Sequence, residues 1–210
     1  MFVLDVAGIF AIVNHTTNKY FFSYSDESMY KVASKHHYRI REGGHVTEEL
    51  YELNKELLLD HKISYYHIIT MNNIDNSLEN LPYSNVKNKL NQLIYGLNTY
   101  GQGGYNGWAY KLRKRPVYTD YGIYLIIITH KKSGHRKFYI GKSDKNKGIT
   151  GRINSHKGLL AKGAHKNKQL QEDYSNTLME TTFSPLITFY EHEISSTELA
   201  ELEVHLIGVF

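Results

Sequence analysis

The 210-residue chain contains no cysteine. This absence excludes disulfides and thiolate zinc sites, so any metal must be held by carboxylate, imidazole, phenolate or water ligands, a set that favours a hard divalent ion. The chain also lacks any stretch approaching the roughly 20 apolar residues that span a bilayer. Its start, Met1 to Val13, carries Asp5 and no basic leading region. We therefore expect a protein without a membrane partner that stays in the cytoplasm.

A phosphate-cradling glycine motif of the GxxxxGK[ST] type is missing as well, which argues against a small-molecule enzyme with a nucleotide pocket. What the chain does have is a strong segregation of charge. The window from His130 to Lys168 holds twelve Lys and Arg residues and one acid, Asp144, a charge of +11 in a chain whose total is +4. Such a window suits a nucleic-acid backbone, where Lys and Arg displace condensed counterions, although a solvated lysine-rich surface has the same composition.

Two short stretches rich in β-branched and aromatic residues predict a β-hairpin. They run from Tyr121 to Thr129 and from Lys137 to Gly141, and a polar segment containing Ser133-Gly134 joins them. Because side chains alternate along a strand, we expect Tyr124 and Tyr139 on one face of the sheet and close together.

Two helices are predicted beyond the hairpin. After a loop with glycines, Arg152 to Lys162 has helical spacing, and Arg152 and His156, four residues apart, fall on one stripe. Ser195 to Glu198 matches a capping box that opens a final helix with an apolar side formed by Leu199, Leu202, Leu206 and Ile207. Glu203 falls within that apolar side, where a carboxylate is costly unless it is paired or binds a metal; an edge glutamate that reaches solvent is the alternative.

The N-terminal half resembles a degenerate copy of the C-terminal half, shifted by about 114 to 120 residues, and internal repeats fix architecture. Three segments align: Gly8-Ile9-Phe10 with Gly122-Ile123-Tyr124, Tyr20-Phe21-Phe22-Ser23 with Phe138-Tyr139-Ile140-Gly141, and Gly43-Gly44-His45 with Gly163-Ala164-His165. Ser64 then falls opposite Ser184. We expect an α+β fold, a small mixed or antiparallel sheet flanked by helices, that occurs twice. At the chemically interesting positions the first copy has Phe10, Val32 and Tyr83, and only His36, opposite His156, is retained.

These alignments divide the chain into a degenerate domain at residues 1–95, a connector at 96–118 and a second domain at 119–210. The connector combines glycines, aromatics and a basic run that includes Arg113 and Arg115. Aromatics interleaved with arginines can stack on bases or track phosphates, and a packed loop between domains is the alternative.

Five residues of the second domain form a set suited to phosphoryl transfer. That reaction needs groups that deprotonate water, neutralise the charge of the transition state and help the alkoxide leave. The two phenols, the permanent cation, the imidazole and the inward carboxylate are those of Tyr124, Tyr139, Arg152, His156 and Glu203. In their order and spacing, the motifs Gly122-Ile123-Tyr124 and Tyr139-Ile140-Gly141, followed by Arg152 and Glu203, resemble the GIY-YIG nuclease family over about residues 119 to 208.

The resemblance implies a DNA endonuclease with a single Mg²⁺ or Mn²⁺ held by Glu203 and by waters. It makes Arg152 the clamp on the phosphate and Tyr139 the residue that orients a phosphate oxygen. Tyr124, assisted by His156, is expected to activate the attacking water, because a phenol near a cation and a metal can lose its proton below its usual pKa.

The resemblance also suggests a biological setting. Gly163 to Gln171 is similar to the segment that follows the arginine helix in phage and intron-homing members, whereas His156 is similar to a histidine of restriction-enzyme members. We expect a homing-type, phage or mobile-element enzyme in a bacterium or a phage-infected cell, acting on double-stranded DNA and cutting both strands as a homodimer or by sequential nicking. The expected DNA contacts are Lys142, Lys157, Lys166, Lys168, Arg113 and Arg115.

A catalytically inactive DNA-binding protein that uses the same platform is the alternative from a different class. Such a protein needs the Lys and Arg residues but not an inward Glu203 together with both tyrosines. Family members continue beyond the glutamate into an asparagine and further structure, whereas this chain ends at Phe210. A naturally short protein and a missing C-terminal recognition domain both remain open.

Overall fold

The computed structural model describes residues 3–42, 48–70, 85–97, 104–106, 118–143, 145–190 and 193–210. The chain divides into two compact units, Met1–Val117 and Tyr118–Phe210. Each unit combines helices with one three-stranded antiparallel sheet, which confirms the expected α+β class.

The first unit has the element order ββααβα, and its sheet order is β2-β1-β3. Its elements are β1 (Gly8–Asn14), β2 (Lys19–Ser25), α1 (Met29–Glu42), α2 (Glu48–Leu58), β3 (Ile63–Thr70) and α3 (Asn85–Gly96). All seven residues of β1 are buried, because the strand lies at the centre of the sheet. Phe10, Ile12, Met29 and Leu53 belong to the core that joins this sheet to α1 and α2.

The second unit repeats that order, and its sheet order is β5-β4-β6. Its elements are β4 (Gly122–His130), β5 (Arg136–Lys142), α4 (Gly148–Ala161), α5 (Lys168–Ser175), β6 (Met179–Thr188) and α6 (Ser196–Val209). The predicted hairpin is confirmed as β4 and β5, with Gly134 in the left-handed region at φ 70° in the turn. The edge strand β6 carries Pro185 at a register shift, where the missing N–H does not break the ladder.

Helix α4 begins at Gly148, four residues earlier than the sequence predicts. Its N-cap residue makes no side-chain cap, and Asp120 replaces it from a distance. The Asp120 carbonyl accepts from the Ile149 N–H, and its carboxylate accepts from the Thr150 N–H, both at 2.9 Å. The first turn is therefore satisfied by a residue that helical periodicity does not reveal.

The final helix, α6, opens as predicted. Ser195 and Glu198 form a reciprocal capping box. Of the expected apolar side, Leu199 and Leu206 are buried, whereas Ile207 is 56 % exposed. Val209 is buried near the end of the helix, which packs against β4 and β5.

The two sheets share a local construction at their central strands. Phe10 pairs with Ser23 and Tyr124 pairs with Gly141, as the alignment of the two halves predicts. A side chain at Gly8 or Gly122, both at positive φ, would collide with a carbonyl of the neighbouring third strand. The alignment of the third strands is shifted by two residues from the expected one. Phe10 pairs with His67 and Tyr124 pairs with Pro185, so His67 is equivalent to Pro185 and Ser64 is equivalent to Thr182 rather than Ser184.

Part of the predicted connector packs within the first unit. Gly104 bridges Tyr20 of β2, and the Asn106 side chain accepts from the Phe22 N–H and donates to the Phe22 carbonyl. The aligned Gly43-Gly44-His45 segment, Tyr83 and the basic residues Arg113 and Arg115 lie outside the described residues. No helix in the described ranges is long and apolar enough to cross a membrane.

Candidate active site

Tyr124 and Gly141 face each other across β4 and β5. A Cβ atom added at Gly141 would lie 2.5 Å from both the Cζ and hydroxyl atoms of Tyr124. The glycine of the second motif therefore makes room for the phenol of the first. The expectation that Tyr124 and Tyr139 share a face is confirmed, since both pack in the core cluster on one side of the sheet.

The Tyr124 hydroxyl starts a chain of hydrogen bonds. It lies 2.7 Å from Nε2 of His156, and Nδ1 of His156 lies 2.7 Å from Nε2 of His165. Nδ1 of His165 lies 3.1 Å from the nitrogen of the Asn167 N–H and 3.3 Å from the Asn167 carbonyl oxygen. If Nδ1 of His165 accepts from this N–H, its Nε2–H donates to His156; if Nδ1 donates to the carbonyl, Nε2 accepts, so the two tautomers give the chain opposite directions.

The same choice of tautomer sets the direction of the bond to Tyr124. When His156 accepts at Nδ1, its own proton is on Nε2 and points at the phenol oxygen; in the other tautomer the Tyr124 hydroxyl donates to Nε2. Burial lowers the pKa of His156, and the neighbouring His165 and Arg152 lower it further, so the ring is neutral at neutral pH. A neutral His156 with its proton on Nε2 is a donor that would stabilise a deprotonated Tyr124.

Arg152 and Glu203 complete the surroundings of Tyr124. Burial raises the pKa of Tyr124; the Arg152 guanidinium opposes this rise, and the Glu203 carboxylate adds to it. The expectation that Tyr124 loses its proton below its usual pKa concerns a phenol beside a bound metal ion and stays a prediction. Among the described residues, the buried Nε of Arg152 has no hydrogen-bond partner, a donor that an anionic ligand would satisfy.

Glu203 is half-buried, and its Oε1 accepts from the Lys142 N–H at 3.1 Å, at the end of β5. Its position beside the site rather than in solvent agrees with the inward placement expected for it. No group of three His, Cys, Asp or Glu that would hold a metal occurs in the described ranges. One carboxylate plus waters still fits a hard ion such as Mg²⁺, which keeps much of its hydration.

The site residues line two clefts. A cavity of about 370 Å³ is lined by Tyr124, Tyr139, His156 and His165 among apolar neighbours. A smaller one of about 160 Å³ is lined by Lys142, Lys145 and Arg152 next to Ser196 at the start of α6. The first cleft offers phenols and imidazoles, and the second offers cations suited to a phosphate.

The Tyr139 hydroxyl does not donate its hydrogen bond into the cleft. Its hydroxyl donates to Oδ2 of Asp173 at 2.6 Å, and Lys137 Nζ lies 2.8 Å from Oδ1 of the same carboxylate. Burial favours the neutral form of Asp173, but the hydrogen bonds from Lys137 and Tyr139 outweigh it and hold the Asp173 pKa below its ordinary value. An ionised Asp173 only accepts, so the Tyr139 proton is engaged by Asp173 in this structure, and the expected role of Tyr139 toward a phosphate oxygen stays a prediction.

Two site residues, His165 and Asp173, were not predicted from the sequence. His165 lies nine residues after His156, a separation without helical meaning across the end of α4. Asp173 carried a usable signal: it follows Leu170 by three residues in α5 and therefore shares its buried face. A carboxylate on an apolar helix face is a site candidate here for the same physical reason as at Glu203.

The lysines expected to contact DNA lie at the surface of the second unit. Lys157, Lys166 and Lys168 are exposed, and Lys157 Nζ sits 5.1 Å from the centre of the Phe183 ring. Lys142 is half-buried beside the second cleft. Their positions allow contact with a polyanion, and the role itself stays a prediction.

At the equivalent positions the first unit is apolar. Phe10 replaces Tyr124, Phe21 replaces Tyr139 and Val32 replaces Arg152. His36 is retained, with its ring 6.0 Å from Phe10, but burial, aided by Arg39 and Lys35, lowers its pKa to about 4. The first unit therefore has a neutral histidine without the phenol and the cation that surround His156.

No family model, no curated protein and no solved structure matches this chain. The geometry of the two units is therefore the basis for any statement about function.

Proposed function

We propose that the chain is a metal-dependent endonuclease of the GIY-YIG type, which hydrolyses phosphodiester bonds in double-stranded DNA. The observation that carries the proposal is the convergence of Tyr124, His156, Arg152 and Glu203 at one place. They come from β4, α4 and α6, and their mutual influence is seen in the 2.7 Å Tyr124–His156 contact and in the shifted Tyr124 pKa. A half-buried cation, a buried phenol and a half-buried carboxylate are expensive to assemble without a function.

Arg152 is the proposed phosphate ligand. Its buried Nε has no hydrogen-bond partner within the described part of the chain, and together with the adjacent Lys142 and Lys145 it gives a cationic cleft that matches the charge of a scissile phosphate. Preorganised donors of this kind stabilise the extra charge that develops at phosphorus without reorganisation during the reaction.

Tyr124 is the proposed group that removes a proton from the attacking water. Arg152 lowers its pKa, and the Nε2–H of neutral His156 donates to the phenolate that results. His156 thus supports the base rather than acting as the base itself.

Glu203 is the proposed ligand of Mg²⁺ or Mn²⁺. A bound ion would neutralise phosphate charge and help the leaving oxygen depart. The carboxylate lies close enough to Tyr124 to affect its pKa, so an ion there would reverse the present unfavourable effect of Glu203 on deprotonation.

We infer further that the first unit is a degenerate copy of the second, with a structural or DNA-contacting role. The shared element order, the shared sheet order and the equivalent glycines Gly8 and Gly122 support this inference. A homing-type, phage or mobile-element enzyme that acts in the cytoplasm as a homodimer on DNA remains the setting we propose from the motifs.

Cleavage of supercoiled plasmid DNA in Mg²⁺ or Mn²⁺ tests the proposal. We expect the wild-type protein to cut, and Arg152→Ala, Glu203→Ala and Tyr124→Phe to lose about 100-fold or more in cleavage rate while they remain folded. Glu201→Ala, an exposed acid on the same helix, and Tyr174→Phe, an exposed tyrosine, are the matched controls and should cut normally.

Tight DNA binding by the wild-type protein without cleavage in either metal would instead identify a catalytically inactive DNA-binding platform. The products distinguish strand number: a linear product that depends on protein concentration indicates a dimer, and a nicked circle that accumulates first indicates sequential cuts.

A further inference from the structure

Asp173, Tyr139 and Lys137 form a polar group beside the four residues on which the proposed function rests. Asp173 is 5 % exposed and lies on α5, whereas Lys137 and Tyr139 lie on the same face of β5. Burying a carboxylate is costly unless it is paired and hydrogen-bonded, and here a lysine and a phenol supply both.

A purely structural ion pair would not require a carboxylate at this position. The first unit has the equivalent lysine, Lys19, which pairs with Glu56 of α2 at 3.5 Å. At the position of Asp173, the sixth residue of the helix, α2 has the fully buried Leu53. Both units therefore have an ion pair between a strand lysine and a helix carboxylate. Only in the second unit does the carboxylate also accept a hydrogen bond from the residue two positions after that lysine, Tyr139.

The residue at the Asp173 position differs between the two units together with the residue at the Tyr139 position. Where the second unit has Tyr139 and Asp173, the first has Phe21 and Leu53. The pair occurs in the unit that also has Arg152, Tyr124 and Glu203. In the first unit the lysine-paired carboxylate, Glu56, takes its phenol hydrogen bond from Tyr105 instead, so there the residue equivalent to Tyr139 has no part in the group.

The bond to Asp173 fixes which way Tyr139 can hydrogen-bond. An ionised carboxylate accepts only, so the Tyr139 proton points at Oδ2 and the lone pairs of the phenol oxygen are the part left for other partners. Burial, the hydrogen bond to Asp173 and the Asp173 charge all raise the pKa of Tyr139, so the proton stays on the phenol. Of the two reactants in phosphodiester hydrolysis, the diester has no proton to donate and water does.

We propose that Asp173 is a positioning residue that makes the Tyr139 oxygen a hydrogen-bond acceptor, and that this acceptor holds the attacking water in the cleft shared with Tyr124 and His156. The inference rests on the proposed nuclease function for its reaction, but the direction of the Tyr139–Asp173 bond can be tested without activity. Tyr124 and Tyr139 then have different tasks: Tyr124 takes the proton, and Tyr139 orients the water.

The first measurement is the titration of Tyr139 in the wild-type protein, by tyrosine ¹³C NMR with the signal assigned from Tyr139→Phe. We expect Tyr139 to stay protonated over the range in which exposed tyrosines ionise, and Asp173→Asn to lower its pKa. Tyr139 ionising together with the exposed tyrosines in the wild-type protein would overturn the proposal. This test requires no Asp173 variant and stays decisive even where Asp173→Asn does not fold.

The second measurement is a double-mutant cycle of plasmid cleavage with Asp173→Asn and Tyr139→Phe. We expect each variant to reduce the cleavage rate about 10- to 100-fold with DNA affinity unchanged, and the double variant to be no slower than Tyr139→Phe alone. Glu172→Gln removes the same charge from the exposed neighbouring position and should cut normally. Effects that multiply, or normal cleavage by Asp173→Asn, would contradict a role through Tyr139. If the wild-type protein cuts no DNA, the nuclease proposal fails, whereas the titration still decides the bond direction.

Discussion

Gly141→Ala should displace the Tyr124 phenol. The added methyl group would lie 2.5 Å from the Cζ and hydroxyl atoms of Tyr124, about 1 Å inside ordinary carbon contact distance. The backbone of β5 is held by its pairing with β4, so the ring must move. A shift of about 1 Å takes the hydroxyl out of hydrogen-bond distance of His156, from which it is now 2.7 Å.

Two effects follow, with different magnitudes. Overpacking of this kind lowers the free energy of unfolding by about 1 to 3 kcal/mol. Misplacement of a reacting group by about 1 Å reduces the cleavage rate by about 100-fold. Urea unfolding gives the first quantity, and plasmid cleavage by protein that circular dichroism shows to be folded gives the second.

Gly158→Ala is the matched control. Gly158 lies in α4 of the same unit and has no atom within 4 Å of an added methyl group. This substitution should raise the free energy of unfolding by up to about 1 kcal/mol, because alanine favours a helix, and should leave cleavage unchanged. Normal cleavage by folded Gly141→Ala protein would refute the account of why the second motif requires glycine.

Three further predictions concern Arg152, His36 and the exposed lysines. Arg152→Lys should reduce cleavage by about 10-fold or more without loss of stability, because lysine keeps the charge but not the planar donor set; wild-type cleavage would show that charge alone is enough. His36→Leu should remove a pH dependence of stability. In the wild-type protein the lowered pKa of about 4 keeps the folded histidine neutral, so the free energy of unfolding falls by up to about 3 kcal/mol as pH drops from about 6.5 to 4. Unfolding curves of the variant that remain equally pH-dependent would contradict this. Lys166→Ala with Lys168→Ala should reduce the slope of log affinity for DNA against log salt concentration by about 1 for each phosphate that these lysines neutralise, and an unchanged slope would place the DNA elsewhere.

The sequence was sufficient for the elements that local patterns specify. Alternation and β-branched residues predicted the β4–β5 hairpin, and the Ser195–Glu198 capping box predicted the start of α6. Helical spacing placed Arg152 and His156 on one stripe, and the structure brings His156 to Tyr124. These features depend on residues close in the chain, where periodicity and capping chemistry act directly.

What the sequence could not provide depends on distant partners. The early start of α4 relies on Asp120, which lies 28 residues before Gly148 and caps the helix from outside it. The roles of Tyr124 and Tyr139 depend on the donors and acceptors that the fold brings to them, His156 and Asp173. Two tyrosines that are indistinguishable in a motif thus acquire different hydrogen-bond partners, an imidazole and a carboxylate, only once helices α4 and α5 are in place.

The comparison of the two units bears on why the polar set is present at all. Replacing a buried ion pair by apolar residues of similar size is often neutral or stabilising. The first unit achieves the same element order with Phe10, Phe21, Val32 and Leu53 at the equivalent positions, so folding does not require the polar residues. Moreover, the positions differ in pairs. Tyr124 and Gly141, which face each other, are replaced by Phe10 and Ser23, and the hydrogen-bonded Tyr139 and Asp173 are replaced by Phe21 and Leu53, which belong to one apolar core. Each pair is consistent within its own unit. Tyr124 opposite a serine would clash, and Asp173 beside a phenylalanine would lose the hydrogen bond of the phenol. The second unit therefore retains a coupled polar site that its fold does not require, as the proposed nuclease function predicts.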